Sequence, residues 1–214
     1  LTNAGFTNGM AYQLTVQNIA DTASNILNPS YTSPNLYFNA LTSGLIFTEI
    51  MYNAPSDNSN QLEFLEIYNN SAATINLGGL KVKDEGNFIF EFSEGTVAAG
   101  SAVLLATDKT SADAFYGVSF IDLPQEISNA LGNGGENLQI LNSQNDIISQ
   151  VTYDDASPWS LSPDGTGPSL ELLNPNGNLN DGNNWMAATN LVGTSLGAKV
   201  YASPGVFNPV VSVN

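Results

Sequence analysis

Apolar and polar positions alternate along this chain in short runs, each closed by Gly, Pro, Asn, Asp or Ser. A period of two over four to eight residues describes a half-buried β-strand. The pattern predicts strands over Ala11–Asn18, Asn35–Ala40, Ile46–Tyr52, Glu63–Asn69, Leu80–Lys83, Phe88–Phe92, Ala102–Thr107, Val118–Ile121, Asn137–Leu141, Ile147–Tyr153 and Ser169–Leu172, with a weaker one over Val200–Ala202. Helical periodicity is nearly missing. A single turn is predicted over Thr110–Tyr116, where "TSADAFYG" offers a Thr or Ser N-cap, an early acid and a Gly stop. "LGNGGEN", "SPDGTGPS" and "NPNGNLNDGNN" supply positive-φ positions for tight loops, so one end of the molecule should be loop-rich. These features predict an all-β sandwich of antiparallel strands.

Composition narrows the function more than the fold. A chain of 214 residues buries a full core as one large β domain, or as one domain plus a fragment. With 42% hydrophobic and 11% charged residues it is a folded chain solvated by Asn, Ser, Thr and Gly, unlike a disordered acidic tail. The net charge is −16, from 20 acids against Lys81, Lys83, Lys109 and Lys199, with no arginine. That balance argues against nucleic-acid binding and against attraction to an anionic membrane, and it draws divalent cations. Cysteine and histidine are both missing, which removes disulfide, thiol and zinc-finger chemistry. No apolar run is long enough to span a membrane as a helix. The opening at Leu1 reads as a processed or excised fragment, with any signal peptide outside it.

Three glutamates, Glu49, Glu63 and Glu66, fall inside strand-like runs. Strict alternation groups Leu62, Phe64, Glu66 and Tyr68 on one face and Glu63, Leu65 and Ile67 on the other. It groups Glu49 with Phe47 and Met51. Glu63 and Glu66 therefore cannot form a facing acid pair, and Glu49 could meet one of them only across strands. The favoured reading is that they accept hydrogen bonds within the scaffold. A hydrolase would instead need two acids converging in a pocket. Serine nucleophiles lack a histidine base, and Lys81 or Lys83 would have to be buried to replace it, which is rare for lysine.

Calcium is the cation that the Asp- and Asn-rich loops suit, with Asp154, Asp155, Asp164 and Asp181 as candidate ligands beside Asn180 and Asn183. The competing reading is that they sit in turns for their Asx geometry. Trp159, Trp185 and Tyr153 are the candidate ligand-binding residues, with Tyr116, because such rings stack on sugars. The competing reading is that both tryptophans close the core under the long loops. "DLPQE" and "TYDDASPW" are the loops beside them.

Longer patterns carry a resemblance. "GFTNGMAYQLTVQNIADTASNILNP" resembles the closing strands of a bacterial Ig-like repeat, with Ser24 at the usual Gly. From about Leu45, "LIFTEIMYNAP", "EFLEIYNNSAATINLGGLKVKD", "EFSEGTVAAGSAVLLA", "ALGNGGENLQILNSQNDIISQVTYDD", "PWSLSPDGTGPSLEL", "NNWMAATN" and "ASPGVFN" follow in order and resemble a bacterial lamin-tail domain, an Ig-like sandwich also found at the end of nuclear lamins. Leu80 replaces the usual Trp, Asn145-Asp146 replace a turn Gly, and "LVGTSLGAKVY" is an insertion. The resemblance implies a non-catalytic accessory module of secreted and surface proteins.

The expectation is an all-β, immunoglobulin-like sandwich of lamin-tail type over residues 43–208. The strands of an upstream Ig-like unit and a linker would occupy 1–42, "NLYFNALTSG" would form the joint, and 209–214 would be a tail. No cofactor is required, although calcium could contribute stability. The expected partners are neighbouring domains of the same polypeptide, or an extracellular protein or glycan. The chain is expected to be a monomer or a hairpin-swapped dimer, secreted or at the bacterial cell surface. A carbohydrate-binding accessory module is the first alternative and a carboxylate- or metal-dependent hydrolase the second.

Overall fold

The computed structural model describes residues 5–6, 10–17, 19–26, 30–37, 44–55, 61–84, 89–123 and 131–207. Asn18, Phe88, residues 38–43 of the expected joint, residues 124–126 of "DLPQE" and the expected tail 209–214 lie outside them.

Two sheets stack face to face. The larger has six strands, in the spatial order Ile121–Asp122, Ala102–Ala106, Phe64–Asn69, Leu45–Met51, Leu170–Leu172 and Trp185–Ala187. The smaller has four: Ile147–Tyr153, Glu136–Leu141, Lys81–Lys83 and Ile89–Glu91. Their inner faces share one apolar cluster. Leu45, Phe47, Ile50, Leu65, Ile67, Leu105 and Leu170 come from the larger sheet, and Val82, Leu138, Ile140 and Val151 from the smaller. This is the sandwich the alternation predicts. The strands Leu45–Met51 and Leu170–Leu172 pair although some 120 residues separate them, so the sheet closes only when the chain returns.

The outer face of the larger sheet is covered as well. Met51, Phe64, Ala106, Ala112, Phe120 and Val200 form a second apolar cluster. The Lys109–Tyr116 helix supplies part of this cover and links Ala102–Ala106 to its parallel neighbour Ile121–Asp122. Its N-cap is Asp108, whose Oδ1 accepts the Ser111 N–H at 3.0 Å, in place of the expected Thr or Ser. Asp is as good a cap, and its position lets both carboxylate oxygens reach Ser111. Gly117 ends the helix in the left-handed conformation, as expected.

The "LVGTSLGAKVY" insertion is a hairpin, Leu191–Ser195 with Ala198–Tyr201, turning through Leu196 and Gly197, both at positive φ. It adds a strand that the sequence pattern left out and extends the weak Val200–Ala202 prediction backward. Ile75–Asn76, Thr96–Val97 and Trp185–Ala187 also escape the pattern, being two or three residues long. The expected Val118–Ile121 strand is shifted to Ile121–Asp122.

Near the N-terminus the single expected strand is broken. Ala11–Tyr12 pairs with Leu36–Tyr37, and Thr15–Val16 with Tyr31–Thr32. Between them the Ser33 hydroxyl takes the Leu14 N–H in place of a ladder carbonyl. Phe6, Met10, Leu14, Ile26 and Leu36 are each more than half exposed, because a two-stranded ribbon has no core of its own. It touches the sandwich through the Tyr37 hydroxyl, which donates to the Ser93 carbonyl at 2.8 Å, and through the Ser143 hydroxyl, which donates to the Tyr37 carbonyl at 3.0 Å.

Gly167 joins the returning strand to the hairpin. Its φ is +118°, and a Cβ there would lie 1.9 Å from the Lys199 carbonyl oxygen. Gly167→Ala should cost at least about 3 kcal/mol and lower the melting midpoint by roughly 6–12 °C. Calorimetry on the variant checks this, and a midpoint within about 2 °C of the parent's would refute the steric argument.

Candidate functional site

The Leu45–Met51 strand does not keep its alternation. Phe47 pairs with Ile67, but Glu49 pairs with Glu66, so three residues on one strand span two on the other. Thr48 is the extra residue of a β-bulge. Leu45 and Phe47 face the inner core before it, and Ile50 and Tyr52 after it. The bulge thus parts Glu49 from Phe47, contrary to strict alternation, and turns it outward beside Thr48. Glu66 faces outward with Phe64 as expected, and Glu63 faces the opposite way.

The register then extends the row. Glu171 pairs with Glu49 on the next strand, so Glu66, Glu49 and Glu171 lie side by side across three strands. They border a cavity of about 360 Å³ whose other walls include Asn190, Ser203 and Phe207. Glu49 and Glu66 are 2% and 1% exposed. Like charges directly opposite each other in a sheet are unfavourable, and burial raises the pKa of all three carboxyls, most strongly that of Glu49. At Glu49 the neighbouring Glu66 and Glu171 add to the effect.

Donors converge on the row from the chain's closing segment. Glu49 Oε1 accepts the Ser169 hydroxyl at 2.5 Å and the Ser203 N–H at 2.9 Å. Glu66 accepts the Thr48 hydroxyl on Oε1 and the Gly205 N–H on Oε2, both at 2.6 Å. The Ser203 side chain lies beside Glu171 and favours its ionised form, while the Glu171 Oε1 is buried without a hydrogen-bond partner. The glutamates of "LIFTEI" and "EFLEIY" therefore hold the "ASPG" segment on the sheet. They accept bonds within the scaffold, as the favoured sequence reading had it.

Glu63 serves the other end. It is 2% exposed, and its Oε2 accepts the Leu131 N–H at 2.9 Å. Burial pushes its carboxyl up to about 8, with Glu136 adding a smaller repulsion. Glu136 in turn receives the Gly132 N–H and lies 2.9 Å from the Tyr153 hydroxyl.

The other predicted site residues do not converge. Asp154 Oδ1 accepts the Ala156 N–H, Asp164 Oδ1 accepts the Asn53 side-chain amide at 2.7 Å, and Asp181 caps the short helix Gly182–Asn184 through Asn183. Asp155 lies close enough to act electrostatically on Tyr52 along with Asp154 and Asp164. Among the described residues no three acids are grouped to hold one metal ion. Trp159 and Trp185 pack on each other at 5.9 Å in the core, and the Trp185 Nε1–H donates to the Leu179 carbonyl. Tyr153 is 1% exposed, its hydroxyl within 2.9 Å of the Gly132 carbonyl. None of the three offers a ring face to a sugar, so the stacking reading is corrected. Their size and polar tips suit them to closing the core beneath long loops. Glu171 escaped the sequence analysis. "SLEL" marks it as outward-facing, but its neighbours come from a pairing that no local signal reveals.

The buried carboxyls set a pH dependence. Glu63 keeps its proton in the native state up to about pH 8, whereas the unfolded carboxyl, with a pKa of 4.5, releases it much earlier. Its contribution to stability is fully present below about pH 4.5 and is lost as pH rises toward 8, by up to about 1.4 kcal/mol per unit. Glu49, Glu66 and Glu171 act in the same direction. The melting midpoint should fall from pH 5.5 to pH 8, and Glu63→Gln should flatten that slope. Thermal melts of both proteins across the range check it, and an equal slope in the variant would count against the assignment.

A comparison with curated proteins found no match. The family model of the Lamin Tail Domain matches residues 39–155, just over half of the chain. The six-stranded sheet continues past that stretch, taking Leu170–Leu172 and Trp185–Ala187 from beyond it. With its two stacked sheets and the matching run of sequence, this chain belongs to the lamin tail domain family, and its fold is an immunoglobulin-like β-sandwich.

Proposed function

We propose that this chain is a non-catalytic structural and interaction module of a secreted or cell-surface bacterial multidomain protein, presenting loops on a rigid two-sheet scaffold. The observation that carries this reading is the use made of the glutamates. A hydrolytic carboxylate pair needs oxygens open to a substrate or to water. Both oxygens of Glu66 are bonded, and Glu49 Oε1 takes two donors, all within the fold. The loops after residue 153 support the same reading. Asp154, Asn174, Asn178 and Asp181 each accept a backbone N–H two residues on, which preorganises the loop surface.

Partners on this reading are neighbouring domains of the same polypeptide and extracellular protein surfaces. A glycan partner is less favoured, since both tryptophans lie in the core. Secretion and bacterial origin rest on the resemblance to bacterial lamin-tail domains of secreted and surface proteins and on that of the N-terminal strands to a bacterial Ig-like repeat.

The reading is tested by assaying the parent and Glu49→Gln on chromogenic phosphodiesters, esters and glycosides, with millimolar calcium and with EDTA. Neither protein should exceed the buffer blank. A turnover that Glu49→Gln lowers by about 100-fold or more would overturn the proposal.

A further inference from the structure

We propose that residues 202–207 form a strap whose docking is coupled to the protons held by the Glu66–Glu49–Glu171 row, so that acid keeps the strap down and alkali releases it. The strap ends the described chain, after the Leu191–Tyr201 hairpin. Its backbone reaches the row at two points, the Ser203 N–H on Glu49 and the Gly205 N–H on Glu66, and the Ser203 side chain lies beside Glu171. Phe207 rests on Tyr68 with ring centroids 4.8 Å apart. Ala202 and Pro204 are buried and the Ala202 N–H donates to the Asn190 carbonyl, and these anchor the strap's start. Gly205 and Val206 are exposed, so over Ser203 to Val206 the bonds to the carboxyls carry more of the docking.

The groups around the row explain the sign. On the sheet they are Glu49, Glu66 and Glu171 themselves. The helix packed on this face brings Tyr116, which lies in the field of Glu49 and Glu63 and bonds the Leu62 carbonyl. It also carries Lys109 and Asp113, which are paired with each other. The hairpin brings Tyr201, half-buried, and Lys199, exposed. Residues 202–207 carry no ionisable side chain. No lysine contributes to the electrostatics of any of the three carboxyls. With the strap down, Glu49 and Glu66 are almost fully buried and Glu171 half-buried beside them; the strap's own donors favour the ionised carboxylates, but the loss of water outweighs them and favours the protonated form. Lifting the strap admits water and stabilises the ionised form. The docked state therefore holds more protons than the open one, and each such proton makes opening up to tenfold more favourable per pH unit between the open and docked pKa values.

Hydrogen exchange by mass spectrometry between pH 5 and pH 8.5, corrected for intrinsic rates, tests this on the intact chain. Protection of the 202–207 amides should fall at least about tenfold from pH 5 to pH 8. Peptides from Glu136–Leu141, in the smaller sheet, should stay protected well beyond it. Glu171→Gln, at a half-buried position, should reduce the slope for the strap, and Glu49→Gln should reduce it further if that variant folds. Strap protection that is flat with pH, or that falls in step with the smaller sheet, would overturn the proposal on the parent protein alone. A Glu171→Gln variant with an unchanged strap slope would also overturn it.

Discussion

A bulge at Thr48 governs the arrangement of this molecule. Without the extra residue, Glu49 would follow Phe47 into the space between the sheets, where a carboxylate would meet only apolar side chains. With it, Phe47 and Ile50 both keep their places in the core, and the one carboxyl between them turns to the outer face. A two-residue period cannot satisfy both demands, so the strand breaks its period at one position. The bulged residue is itself put to use, since the Thr48 hydroxyl caps Glu66.

From that point the outer face is built as a polar seam beside an apolar cap. The helix and hairpin cover Met51, Phe64 and Ala106, while the closing segment covers the glutamate row. Buried carboxyls are usually destabilising unless they are neutralised or bonded. Here both remedies operate, because burial shifts the carboxyls toward the neutral form and N–H and O–H donors arrive from segments distant in sequence. Asn69 plays a comparable part at the other end of its strand. Fully buried, it donates to the Ala73 and Val97 carbonyls and accepts from Ser71, tying a turn and a neighbouring strand to the sheet.

Much of the architecture was legible beforehand. The alternation located the long strands from Leu45–Met51 to Ile147–Tyr153, and the Gly, Asn and Asp clusters marked their ends. The facing of Phe64, Glu66 and Tyr68 against Leu65 and Ile67 followed from period two and holds in the structure. Short strands such as Thr96–Val97 were invisible because two residues carry no period. The residue types of Asp154, Asp164 and Asp181 suit calcium ligands and turn formers alike; the turn bonds of Asp154 and Asp181 are local, whereas the bond of Asp164 to Asn53 crosses more than a hundred residues, and convergence on an ion would likewise have to be three-dimensional. Trp159 and Trp185 were similarly ambiguous until their burial was known.

The carboxylate row marks the boundary between the two kinds of information. Residue order alone determined that Glu49, Glu66 and Glu171 sit in strands, that Glu63 and Glu66 point opposite ways, and that no histidine or arginine stands ready to pair with them. Only the tertiary structure decided that three of these acids become neighbours. That outcome depends on an inserted residue that shifts the register, and on a pairing between strands about 120 residues apart. Side-chain facing is a local property of the backbone and is written in the pattern of residues. Adjacency across a sheet is set by the packing of the whole chain, which no short window of sequence contains.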